Sequence, residues 1–391
     1  MQTRCYSCGD VFDATRIRCD CGEPVWFDGD ATDFEWPTGT VHGVWRYASL
    51  LPVAPTEGLG WAAGNTPLLR TPRLDDYAGC TLWVKDEAEN PTGTFKDRGS
   101  AVAVAAAEAR GATAVGTVSH GNMAMSTAAH AAAADRPCVV LVPDDISAAR
   151  LAAISQYGPD IVRVDGDYGQ LYFDSLELGA TFDIEFVNSD VPLRVAGQKT
   201  VALELIEQFD GVPDAICLPV SSGGQASGVW KALRELRDAR LIDGLPRLYF
   251  VQAANCDPIA AAFREGYEVR PIDPEPTAAY SIANANPPSG NRVLAAAAET
   301  DGAVVSVPED AIHEATRKLA TEAGLCVEPS SAVALAGLRQ LAASGDVAAT
   351  DRVALILTGT GFKELGGAST DAPSVPLANL DEHLAAILSD A

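Results

Sequence analysis

One pattern constrains this chain more than any other: short apolar runs alternate with helical stretches over most of its length. The runs at 115–118, 139–142, 161–164, 215–220, 248–251, 303–307 and 353–357 have strand length. Between them, 123–134, 146–157, 200–209, 226–239, 258–265, 309–323 and 330–343 carry helical patterns. Short apolar strands separated by helices of about ten to fifteen residues signify parallel sheets closed by helical crossovers. The fold class is therefore α/β. Two further short strands are expected at 68–69 and 82–84. Upstream, Trp26, Trp36, Trp45 and Trp61 with Pro37, Pro52 and Pro55 read as an extended connector with aromatic anchors, not a helix. Past Gly366 the chain turns small and polar, then ends in a short amphipathic stretch at 380–388.

Length and charge bound the function. At roughly 150 residues per domain, 391 residues make two to three domains, each able to bury a core. With 28 basic against 53 acidic side chains the net charge is -25, so contact with nucleic acid or an anionic membrane is not expected. Only six lysines (85, 96, 199, 231, 318 and 363) stand beside twenty-two arginines, and the acids are spread along the chain. Such a hydrated acidic surface suits a salt-rich, halophile-like cytoplasm, where the charge is screened. The first ten residues are polar, and the longest apolar segments, 101–107 and 128–134, fall far short of the ~18 to 20 residues of a membrane span. A soluble, cytoplasmic protein is expected.

The nine cysteines form two populations. Cys80, Cys138, Cys217, Cys256 and Cys326 are single and read as small buried hydrophobes. Cys5, Cys8, Cys19 and Cys21 crowd together as C-x2-C-x10-C-x-C, with Gly9 and Gly22 directly after each pair. Four thiolates satisfy a tetrahedral structural Zn2+ completely, as in a zinc ribbon. Disulfides are the competing reading, and a cytosolic chain seldom uses them.

Three loops at expected strand ends carry unusual residues. The first is Asn90-Pro91-Thr92-Gly93-Thr94-Phe95-Lys96-Asp97-Arg98-Gly99, where a Pro-x-Gly turn leads into a helix whose first turn holds Lys96. A lysine there is either a desolvated, nucleophilic amine or a solvated partner of Asp97. The second, Ser119-His120-Gly121-Asn122, is either a carboxylate-binding loop or a plain helix cap. The third, Ser221-Ser222-Gly223-Gly224-Gln225, lets backbone amides approach a phosphate at a helix N-terminus, or is an empty turn. It is neither G-x-G-x-x-G nor a Walker loop.

Together these segments resemble the fold-type II pyridoxal-phosphate enzymes, and most closely the threonine synthases. Gly197-Gln198-Lys199-Thr200, Glu328-Pro329-Ser330-Ser331-Ala332 and Leu357-Thr358-Gly359-Thr360-Gly361 match as well, so the resemblance runs in order from residue 5 to 367. It implies two three-layer α/β/α domains with mostly parallel sheets plus a small N-terminal zinc ribbon. The implied boundaries are 1–30 for the ribbon, 31–60 for the connector, 61–96 with 196–367 for a large cofactor-binding domain, 97–195 for a small α/β domain, and 368–391 for a tail. Lys96 is implied as the catalytic Schiff-base lysine, Asn122 as the partner of the cofactor's 3′ oxygen, and Thr358 as that of its pyridine nitrogen. Ser221, Ser222, Gly223, Gly224 and Gln225 take the place of the cofactor-phosphate loop. Ser119, His120 and Gly121 fall in the substrate-carboxylate loop, and Ser189 and Arg194 in a motif that meets a substrate phosphate. A small amino acid is the implied substrate, with pyridoxal 5′-phosphate and a structural Zn2+ as the implied cofactors, and a homodimer is the expected assembly.

The implied reaction takes O-phospho-L-homoserine and water to L-threonine and phosphate, by γ-elimination and β-addition of water. Four departures bear on the substrate. Val191 replaces an asparagine donor, Asp190 is expected to repel a phosphate dianion, and His120 replaces a small residue. Asn284-Ala285-Asn286-Pro287 also lacks an arginine common in the family. A paralogue performing β-elimination or β-replacement (a threonine or serine ammonia-lyase, or a cysteate synthase-like enzyme) is the alternative. A zinc-ribbon binding protein without catalysis is a third reading, against which Lys96 argues.

Overall fold

The computed structural model describes residues 2–29, 31–119, 121–166, 168–363 and 372–389. Its largest sheet has six strands in the order Ala303–Val307, Arg247–Ala253, Ala215–Pro219, Arg352–Leu357, Thr81–Asp86, Leu68–Arg70. All neighbours run parallel except the last pair, where Leu68–Arg70 closes the edge antiparallel. A second sheet, Asp160–Val164, Cys138–Pro143, Ala114–Val118, Ile184–Phe186, is parallel throughout. The cysteine-rich segment lies in a three-stranded antiparallel sheet of Val11–Asp13, Gln2–Cys5 and Val25–Asp28.

Both faces of the six-stranded sheet are covered, which is why its strands read as continuous apolar runs. Ile216 and Leu218 pack with Trp230, Leu233 and Leu203 on one face. Ala215 and Cys217 pack with Leu335 and Leu338 on the other. The helix Lys96–Arg110 is alanine-rich because it is buried on nearly every side. A methyl on its Gly99 would sit 2.5 Å from Arg194 Cγ, and one on Gly197 2.1 Å from the Arg98 carbonyl oxygen. The helix Pro192–Gln198 thus crosses it almost backbone to backbone, fixing where Lys96 begins its helix.

The connector differs from expectation. Gly43–Leu50 and Leu59–Ala62 are 3-10 turns, locked together where Val44 N–H donates to the Ala63 carbonyl at 3.0 Å. Pro37 and Pro52 flank the first turn and so bound it without breaking it. Trp26 and Trp45 are buried anchors, Trp36 is half-buried, and Trp61 is 48% exposed. Helices Tyr168–Phe182, Pro192–Gln198 and Gly290–Glu299 and the strand Ile184–Phe186 were not anticipated. Cys80, Cys138, Cys217 and Cys256 are buried and Cys326 is half-buried. The terminal helix Leu380–Ser389 leaves Leu384, Ile387 and Leu388 exposed. Among the described residues, no helix is long and apolar enough to cross a membrane.

Candidate active site

Loops from the carboxyl ends of five parallel strands converge on one cleft of about 1060 Å³, the edge at which α/β sheets bind ligands. Thr81–Asp86 leads to Lys96, Ala114–Val118 to Ser119, Gly121 and Asn122, and Ile184–Phe186 to Ser189. Ala215–Pro219 leads to Ser221, Ser222, Gly223, Gly224 and Gln225, and Arg352–Leu357 to Thr358. All of these line the cleft. His120 lies outside the described residues.

Lys96 is held by its loop's attachment to the neighbouring strand end. Phe95 N–H and Thr94 Oγ1 both donate to the Thr358 carbonyl at 3.1 Å, and Thr360 N–H donates to the Gly93 carbonyl at 3.0 Å. Burial, aided by the Arg194 guanidinium and opposed by the Glu328 carboxylate, lowers the Lys96 pKa to about 7. Pairing with Asp97 does not occur. Asp97 turns inward, accepting from Thr92 N–H at 2.6 Å, Thr92 Oγ1 at 2.7 Å and Ser126 Oγ at 2.6 Å, with His130 Nε2 at 3.4 Å.

The other walls are equally specific. Asn122 opens the helix Asn122–Ala133; its Nδ2 donates to Glu328 Oε2 at 2.9 Å, and its Oδ1 accepts from Lys363 Nζ at 3.0 Å. The Thr358 hydroxyl lies 3.2 Å from Ser331 Oγ. Opposite, Gly223 takes a left-handed conformation (φ 90°) at the start of the helix Gly224–Asp238, whose first-turn amides have no intrahelical acceptor. A Cβ on Gly223 would come within 2.9 Å of Ser289. The buried Gln225 Nε2 has no hydrogen-bond partner among the described residues. An open helix start of this kind suits an anion, and it lines the same cleft as the Lys96 amine.

Two expectations about the substrate end are corrected. Arg194 does not line the cleft. It is fully buried, its Nε donating to the Val187 carbonyl at 2.8 Å and its Nη1 to Ser100 Oγ at 3.1 Å and the Lys96 carbonyl at 3.3 Å. Nη2 donates to Thr127 Oγ1 at 2.9 Å. The cause is Pro192, which starts a helix that carries Arg194 inward against the Lys96 helix. Nor is Asp190 an open negative charge: Arg18 Nη2 and Ser289 Oγ donate to its Oδ2 at 2.8 Å each, and the Tyr172 hydroxyl donates to Oδ1.

Residue types alone did not reveal Glu328, Arg150 or Lys363 as parts of the site. Arg150, on the helix Ala148–Ser155, lies with its guanidinium carbon 3.5 Å from the ring centre of Tyr280, and both line the cleft. Lys96, Arg150 and Lys363 are the lysines and arginines of the cleft wall among the described residues. The Glu-Pro-Ser-Ser-Ala motif was the available signal for Glu328.

Outside the cleft lining, the sulfurs of Cys5, Cys8, Cys19 and Cys21 lie within 4.8 Å of one another. Cys5–Cys21 is 3.7 Å and Cys8–Cys19 3.4 Å. Tetrahedral Zn–S bonds of about 2.3 Å require sulfurs about 3.8 Å apart, so the set fits that ion.

The chain is similar to known proteins over most of its length. The family described as "Pyridoxal-phosphate dependent enzyme" matches residues 62–359. A threonine synthase of Methanocaldococcus jannaschii is 34% identical over 377 residues, 93% of this chain and 93% of that protein. One of Mycobacterium leprae is 35% identical over 348 residues, 86% of this chain and 94% of that protein. Maize serine racemase shares the fold, with a TM-score of 0.65 at 23% identity over 83% of this chain and 93% of that one.

Proposed function

This chain belongs to the pyridoxal-phosphate-dependent enzymes, and we propose that it acts as a threonine synthase, converting O-phospho-L-homoserine and water to L-threonine and phosphate. The observation that carries the reading is the desolvated Lys96 amine facing, across one cleft, the glycine-bearing helix start at residues 221–225. The cleft suits the cofactor: Gln225 Nε2 lacks a partner among the described residues, and Gly223 leaves room that a side chain would close. Ser221, Ser222, Gly223, Gly224 and Gln225 would hold its phosphate, Asn122 its ring oxygen, Thr358 its ring nitrogen and Lys96 its aldehyde carbon. When bound, pyridoxal phosphate withdraws electrons from the substrate α-carbon and so acidifies its C–H bond.

The chain's own residues do the rest. An amine with a pKa of about 7 both takes and gives protons near neutrality, as a general base and acid requires. Lys96 takes protons from Cα and Cβ, phosphate leaves Cγ, a proton returns to Cγ, and water adds at Cβ before Cα is reprotonated. Thr358, a hydroxyl and not a carboxylate, does not require a protonated ring nitrogen, which suits elimination and replacement. Ser119 and the Gly121 backbone would receive the substrate carboxylate; both line the cleft, as does Ser189. The four ribbon thiolates would hold one structural Zn2+ with no open position, so that metal takes no part in the chemistry.

One observation, the inward turn of Arg194, favours a second reading: β-elimination or β-replacement on an amino acid without phosphate. Steady-state assays on O-phosphohomoserine, threonine and O-phosphoserine separate the two. Turnover of threonine or O-phosphoserine without turnover of O-phosphohomoserine would remove the threonine synthase assignment.

A further inference from the structure

Arg18 lies between the two cysteine pairs of the ribbon, yet its guanidinium reaches the base of the cleft. Nη2 donates to Asp190 Oδ2 and Nη1 to the Pro288 carbonyl, each at 2.8 Å. The same Asp190 oxygen accepts from Ser289 Oγ. Ser289 donates its backbone N–H to the Ser222 carbonyl at 3.0 Å, and its own Cβ and carbonyl oxygen bound the space beside Gly223. On the other side of Asp190, the Ser189 carbonyl lies 2.1 Å from where Gly224 would carry a Cβ. Arg292 closes the cluster from behind, with Nε on Ser227 Oγ at 2.7 Å, Nη2 on Ser289 Oγ at 3.0 Å and Nη1 on the ribbon's Val25 carbonyl at 3.4 Å. Two hydrogen bonds therefore lead from Arg18 through Asp190 to Ser289, and Ser289 abuts the residues that cradle an anion.

We infer that Arg18 is a positioning residue for the cofactor-phosphate loop: acting through Asp190 and Ser289, it makes the ribbon part of the active-site scaffold. The inference rests on reading the cleft as the pyridoxal phosphate site. Burial sets this pair apart from the ribbon's other ion pairs, Arg4 with Asp28 and Arg16 with Asp20. Asp190 is 1% exposed and Arg18 22%, whereas Arg4 and Asp28 are 45% and 33% exposed. Exposed pairs hold little, and a buried carboxylate that loses its cation rearranges its surroundings. Those surroundings here are Ser289, Tyr172 and Arg292, so the rearrangement falls on residues 221–225.

The test is a titration of full-length, cofactor-stripped protein with pyridoxal phosphate, followed by tryptophan fluorescence. Arg18→Gln should raise the dissociation constant about tenfold or more. Arg18→Lys should recover part of that, keeping the charge but not the two-pronged contact. Asp190→Asn should match Arg18→Gln, and the double variant should be no worse than the weaker-binding single one, as expected of partners in one network. Arg4→Ala should leave the constant unchanged. A purely structural Arg18 would lower the unfolding midpoint without moving the constant, or would weaken binding no more than Arg4→Ala does; either result overturns the inference. If Arg18→Gln does not fold, a wild-type constant in Arg18→Lys and Asp190→Asn together overturns it. Wild-type protein that takes up no pyridoxal phosphate overturns the reading of the cleft as well, whereas normal wild-type uptake with an unchanged Arg18→Gln constant overturns this inference alone.

Discussion

Arg194→Ala asks where the cleft keeps its phosphate-binding charge. The side chain is fully buried and donates to the Val187 and Lys96 carbonyls and to the Ser100 and Thr127 hydroxyls. From Ser100 the chain of bonds runs through Ser126 at 2.7 Å to Asp97 at 2.6 Å, so Asp97 is the counter-charge at the end of a buried relay. Arg194→Ala takes the donor from two buried carbonyls and two buried hydroxyls, and at about 1–3 kcal/mol for each buried group left unsatisfied the loss should reach at least about 3 kcal/mol. That is a large share of the roughly 5–15 kcal/mol that holds a folded protein together. Urea unfolding of the variant should show a loss of that size. Its turnover should fall by a similar factor on phosphorylated and phosphate-free substrates, because the change reaches both through Lys96. The Lys96 amine should also titrate above 7, since the guanidinium helps to depress it. Arg150→Ala should behave oppositely. Arg150 faces the cleft, and a charge-assisted hydrogen bond of about 1.5–3 kcal/mol corresponds to a tenfold to hundredfold rise in KM for O-phosphohomoserine alone. An Arg194→Ala protein of wild-type stability that loses only the phosphorylated substrate would refute this reasoning.

Four further outcomes are expected. Lys96→Ala should lose turnover and the visible absorbance of lysine-bound cofactor together, and more than a trace of normal turnover would exclude Lys96 as the reactive amine. In cofactor-free protein Lys96 titrates at about 7 when folded but near ~10.4 when unfolded, so the unfolded chain binds the extra proton between those values and stability rises with pH across that window. Chemical denaturation of Lys96→Met against pH should lack this part of the rise while keeping the smaller part of like sign from Lys199, which burial holds at about 8. Metal analysis should find one zinc per chain, and its chelation should lower the stability of the N-terminal segment; zinc-free protein of unchanged stability would count against the ribbon site. Dialysis to low salt should loosen a chain of net charge -25, as read by unfolding midpoint, and full stability there would exclude a salt-dependent surface.

What the sequence showed and what it hid divide along one physical line, between local and non-local information. The alternation of strands and helices is local, and the expected strands at 115–118, 215–220 and 353–357 fall on Ala114–Val118, Ala215–Pro219 and Arg352–Leu357. The loops at their carboxyl ends could be located for the same reason, since a parallel sheet sends every such loop to one edge. Ile184–Phe186 is only three residues long and carries too little pattern to be seen, although it delivers Ser189 to the cleft. Gly43–Leu50 was masked by prolines that flank it without entering it. Side-chain direction was the harder matter. The family resemblance put Arg194 near the substrate, but direction depends on the helix that Pro192 begins and on the close crossing that Gly99 and Gly197 permit. Asp190 looked repulsive only because its cation, Arg18, lies 172 residues away in sequence. Glu328 belonged to a recognised motif, yet nothing in the motif said that its carboxylate would face Lys96 and bind Asn122. Charge balance in a buried site is set by pairs that the fold brings together, so a sequence can name the ionisable residues of such a site long before it can say which of them neutralise one another.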